Sequence, residues 1–348
     1  MLLTHQPGPV MHRWTIGALL ALSLGSPAWG GATAGIPRTA PVLRAVADVL
    51  LPGPAVRFDG LSLDLRSDRL YLAHLGAGEI VVFNVRTRRV EGTVGGLPGV
   101  TGVWAVPALG RVYASVTGLH HVAVIDARTL RVTARIGTIG SPDGIAYAPD
   151  RQKLYVSDGS GGGELVIDAG AGRVVRTIPL DGEAGNPLFD PGSRCILVAV
   201  PARKQVWVID PASDRVLGRF DLQGAARPHG MTIDAARRLG FVADQQAASV
   251  LIVDLRTMKV TGTVPVGESP DALAFDPGWR RLYVASESGT VSVFTETGSG
   301  LAHEGDLRLP YAHAVAVDPR THLVYLPLQD IGGRPVLRIM AGDPPAGD

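Results

Sequence analysis

The chain has 348 residues, 46% of them apolar, with 44 Gly and 26 Pro and few aromatics. Its 33 basic and 32 acidic residues nearly cancel, so no net field draws it to nucleic acid or an anionic membrane. Its one cysteine, Cys195, excludes an intramolecular disulfide, and the setting "RCILVAV" reads as a small apolar residue on a buried strand.

The first element is a leader. "MHRWTIGALLALSLGSPAWGGATAG" places His12 and Arg13 before an apolar run from Trp14 to Leu24, then small residues suited to cleavage near 30/31 or 34/35. Residues 1–34 are therefore expected to be a signal peptide and linker, with Met1 or Met11 as the start. The run is short for a bilayer span, and no later segment is long and apolar enough. The mature protein is expected to be periplasmic or secreted, a monomer with no membrane span.

A repeat begins after the leader. Aligned residues Tyr71, Tyr113, Tyr155, Leu197, Phe241, Tyr283 and Tyr325 are spaced by 42, 42, 42, 44, 42 and 42. Each unit opens on an alternating stretch such as "GIAYAP", then turns at "PDRQK", "DPGWR" or "DPRTH". A "KLYVSD"-like run follows, then a "VWVID"-like run, then "RVVRTI" or its equivalents. Four short β runs joined by tight turns at this period predict an all-β ring of seven four-stranded antiparallel blades, a β-propeller spanning 41–340. The seventh unit ends in "AGDPPAGD", so 341–348 is expected to be a disordered tail and that blade lacks a fourth strand. "RAVADVLL" (44–51) has the fourth-strand pattern with no unit of its own and is expected to complete the last blade, leaving no open edge.

The words "YVSD" (155–158), "YVAS" (283–286), "YLAH" (71–74) and "FVAD" (241–244), with their "FDP…RLYVA" and "VxVID" flanks, resemble the YVTN repeat. The chain is similar over roughly 41–340 to YVTN-type seven-bladed propellers, the surface-layer and YncE-like exported proteins. The resemblance implies the fold; that family is functionally mixed.

In such a ring the first strand of each blade lines the channel, and its start lies beside the end of the second strand. The first-strand openings predict an inner ring of Asp59, Thr101, Asp143, Gly185, His229, Asp271 and His313. The second-strand ends predict an outer ring of His74, Val116, Asp158, Val200, Asp244, Ser286 and Leu328. Asp59, Asp143, Arg227, His229, Asp271, His313, His74, Asp158 and Asp244 are thus the candidate ligand-binding residues. His229, His313, Asp59 and Asp271 could hold a divalent metal, or pair as acid and base with His229 and His313 as catalytic candidates. Polar groups that merely bond neighbouring blades and water would look the same.

Other features carry less. "SDGSGGGE" (157–164) joins two strands, with no helix behind it to bind phosphate. His120 and His121 are adjacent on a strand and point apart. Arg203 and Lys204 make too small a basic patch for nucleic acid. A G-x-S-x-G elbow, a His-Glu-x-x-His pair, a P-loop and a dinucleotide fingerprint are missing. Three functions remain open. The first is an exported scaffold binding a small ligand or exported protein partner on the ringed face. The second is a metal-dependent lyase or hydrolase, lactonase-like, at the channel mouth. The third, DNA binding, lacks a basic face.

Overall fold

The computed structural model of the protein describes residues 41–137, 139–298 and 300–344; the expected leader lies outside them. The described chain forms seven four-stranded antiparallel sheets. The sequence words repeat because each sheet buries both faces against its neighbours. Tyr71, Tyr113, Tyr155, Tyr283 and Tyr325, one on the second strand of each of five blades, are at most 1% exposed. The core lies between blades: Tyr71 and Val82 pack with Val103 and Val112 of the next sheet. Cys195 is buried on its strand as expected, and burial raises its thiol pKa.

Closure follows the expected route. Strand β1 (Arg44–Leu50) pairs antiparallel with β28 (Val336–Ala341), from Arg44 opposite Ala341 to Leu50 opposite Val336. Two leucines flank this strand and anchor it on opposite sides. Leu43 packs with Tyr283 and Leu326, whereas Leu51 packs with Phe58 and Tyr325. The last strand runs one residue past the 340 boundary expected for the ring, and residues 345–348 of the expected tail lie outside the described residues. Ala341 belongs to β28, and the Asp343 carbonyl accepts a hydrogen bond from Arg281 Nη1 at 3.0 Å. Among the described residues, no helix is long and apolar enough to cross a membrane.

Candidate functional site

The strand register places the site. Pro142 faces Asp158, Pro228 faces Asp244 and Pro270 faces Ser286, so first-strand starts do stand beside second-strand ends. The first strands converge on a central cavity of about 210 Å³. Its wall follows the two-residue alternation of a strand. Asp59, Thr101, Asp143, Asp271 and His313 line one level, and two residues later Leu61, Val103, Ile145, Leu273 and Val315 line the next. A polar mouth thus stands over an apolar floor.

In four blades the residue after the mouth position is glycine, and at three of these the reason is steric. A Cβ on Gly102 would lie 2.2 Å from the Asp143 carbonyl oxygen, and one on Gly230 would lie 2.2 Å from that of Asp271. At Gly60, Gly102 and Gly230 a mouth carbonyl of the next blade therefore rests where this blade has no side chain. Backbone contact joins them too: Gly60 N–H donates to Thr101 O at 2.9 Å, and Thr101 Oγ1 donates to Pro142 O at 3.0 Å.

Two residues that the repeat did not single out, Arg57 and Glu287, complete the mouth. Arg57 Nη1 and Nη2 donate to Glu287 Oε2 and Oε1 at 3.0 and 2.7 Å. The same guanidinium lies 3.8 Å from Asp271 and 4.0 Å from Asp59. Arg57 precedes Asp59 by two, hence on the same side of the extended chain, and Glu287 immediately follows the outer-ring Ser286. Those offsets are the sequence signal that could have found them. The corresponding Gln245, after Asp244, also reaches inward, with Nε2 3.5 Å from Asp271 Oδ1.

His313 is 4% exposed, and its Nε2 lies 2.6 Å from the Phe58 carbonyl. A carbonyl only accepts, so Nε2 carries a proton and Nδ1 is the nitrogen left for another partner. His229 has a buried Nδ1 with no hydrogen-bond partner, and its charge acts on both Asp143 and Asp271. Among the described residues, the close metal-competent grouping is Asp271, Glu287 and His313, one donor atom from each lying within 4.8 Å of the others. It contains two of the four residues expected as ligands; Glu287 stands where Asp59 and His229 were expected.

The outer-ring candidates have other partners. Asp158 accepts the amides of Gly140, Ser141, Ser160 and Gly161 at 2.8 to 3.1 Å. Burial pushes its carboxyl up, but these amides outweigh burial and hold it below the usual range. Asp244 accepts the amides of Ala226 and Arg227 at 2.5 and 2.7 Å. His74 is fully buried and stacked on Phe58 with ring centroids 4.1 Å apart, 3.4 Å from Glu79; burial outweighs that carboxylate and lowers its pKa. Arg227 reaches Glu183 at 2.8 Å and Gln245 at 3.1 Å. Asp158 and Asp244 fasten the loops around the mouth, and His74 supports Phe58 from beneath.

Burial governs the mouth carboxyls. It pushes Asp59 well above the ordinary range, helped by the charges of Asp143 and Asp271 and opposed by Arg57. Asp143 and Asp271 are raised by burial despite the pull of His229. Glu287 goes the other way, because the hydrogen bonds from Arg57 overcome its burial. A folded-state carboxyl held protonated opposes folding as pH rises above about 4, where the unfolded chain ionises freely. Asp59→Asn is therefore expected to raise the melting temperature at pH 8 by roughly 2 °C, and by little at pH 4. Melting curves across this range check it; an equal or larger gain at pH 4 would contradict the assignment.

No known protein family matches the chain, and no curated protein matches it. Solved structures do. Hydrazine synthase of Kuenenia stuttgartiensis superposes with a TM-score of 0.70 at 17% identity, over 83% of this chain and 96% of that one. A chain in the crystal structure of the mitotic checkpoint complex superposes with a TM-score of 0.73 at 12% identity, over 94% of this chain and 99% of that one. At these identities the fold alone is shared. Seven four-stranded blades around a central cavity form a scaffold compatible with binding.

Proposed function

We propose that this chain is an exported propeller of the YVTN type that binds a small ligand carrying a positive charge at its channel mouth. The leader and the repeated words support export and type. One observation carries the ligand chemistry. Asp59, Asp143, Asp271 and Glu287 converge around Arg57, and burial raises three of the four carboxyls. An incoming cation favours their ionised form, so binding tightens as pH rises. The apolar level below suits a hydrocarbon body, and the cavity slightly exceeds the ~150 Å³ that accepts benzene. The near-zero net charge of the chain disfavours nucleic acid.

A second reading, a metal-assisted lyase or lactone hydrolase, is favoured by the metal-competent grouping beside Asp59, whose carboxyl is pushed by burial well above its ordinary range. A thermal-shift panel of small organic ammonium ions and matched organic anions tests the first reading. Ammonium compounds should stabilise the mature protein, by about 2.7 kcal/mol at a hundredfold excess over Kd. The double variant Asp59→Asn/Asp143→Asn should lose that response. Stabilisation by the anions, or an unchanged response in the variant, would overturn it.

A further inference from the structure

Resting on that reading of the mouth as a cation site, we propose that Asp271, Glu287 and His313 bind a borderline divalent metal, and that Arg57 is a tethered cation occupying this corner in its place. Asp271 and Glu287 stand side by side because Pro270 pairs with Ser286 in one hairpin, and His313 comes from the blade that follows. Donors on one tetrahedral ion at about 2.1 Å stand roughly 3.4 Å apart. Three donors already within 4.8 Å need only small side-chain movements to reach that spacing.

His313 points independently to a ligand. It is 4% exposed and lines the cavity, and its ring is fixed from behind by the Nε2–H bond to Phe58 O. Metal-ligating histidines are held in this way, with the second nitrogen donating to a carbonyl. The other nitrogen, Nδ1, receives no hydrogen bond among the described residues, so it is left for another partner.

Arg57 shows that the corner takes a positive charge. Its fork holds Glu287 in two hydrogen bonds and stands 3.8 Å from Asp271. The side chain is 38% exposed, so it can swing to solvent without opening the core. A divalent ion placed between the carboxylates replaces one positive charge with two, and the guanidinium then leaves by charge repulsion. One imidazole with two carboxylates suits Zn²⁺ or Mn²⁺ better than Ca²⁺, which needs six to eight oxygens.

Calorimetric titration of the chelator-treated mature protein with ZnCl2 tests this. The wild type should bind one ion per chain, and Glu287→Gln and Asp271→Asn should each weaken binding more than about tenfold. Arg57→Gln should tighten it severalfold, because the internal competitor is gone; this gain cannot come from a variant that has failed to fold. Unchanged Zn²⁺ affinity in Glu287→Gln, or weaker affinity in Arg57→Gln, overturns the proposal. A protein that answers ammonium ions in the thermal-shift panel but not Zn²⁺ loses the metal assignment alone. Zn²⁺ binding with these variant effects but no ammonium response keeps the metal site and removes the organic ligand.

Discussion

Deleting residues 41–53 is expected to give a chain that aggregates or melts without cooperativity. The segment carries β1, which supplies the outer strand of the blade built from the C-terminal end. Leu43 and Leu51 are 1% and 5% exposed, and burying each stabilises the fold by about 1.5–3 kcal/mol. Two such residues approach the whole net stability of a typical domain, about 5–15 kcal/mol. The loss is compounded at β28, whose backbone would become an unpaired edge flanked by Leu337 and Ile339. Sedimentation and thermal melting of the truncated protein check this. A soluble, sharply melting product would show that the ring does not depend on its latch. Leu43→Ala alone should cost about 2–5 kcal/mol.

Gly230→Ala should be strongly damaging at the mouth, as should Gly102→Ala. The new methyl would lie 2.2 Å from the Asp271 carbonyl oxygen, backbone against which no rotamer can turn. Adjacent first strands must separate, and overpacking of this kind costs about 1–3 kcal/mol or more. A melting temperature lower by at least about 5 °C is expected. Both flanking residues, His229 and Asp271, would shift, so cation binding should weaken with stability. Gly95→Ala is the matched control, since nothing lies within 4 Å of its added Cβ. Equal melting of the two variants would mean that the ring tolerates spreading at its hub.

The scaffold was legible because its physical requirement recurs in every blade. Each second strand presents a large residue to the neighbouring sheet, and most blades follow the mouth residue with a small one, as in Asp59-Gly60, Asp143-Gly144 and His229-Gly230. The missing strand was legible as a mismatch between the two chain ends. The mouth's electrostatics was not. Arg57 and Glu287 are 230 residues apart and belong to no repeated word. Only closure of the ring makes them neighbours. Asp158 and Asp244 show the same limit from the other side. Their carboxylates are visible in sequence, but the loop amides that turn back onto them are set by backbone geometry.

The pairing of Arg44 with Ala341 brings the beginning and end of the ring side by side on one sheet. Blade order along the polypeptide is thus a consequence of where the circle happens to be cut. A bridge across those neighbouring ends, with a new opening at Gly95 and Gly96, would produce a circularly permuted chain in which all seven sheets are sequence-contiguous. The present cut divides one sheet between the first and last strands of the ring, so the circle cannot be completed until the final strand has been made.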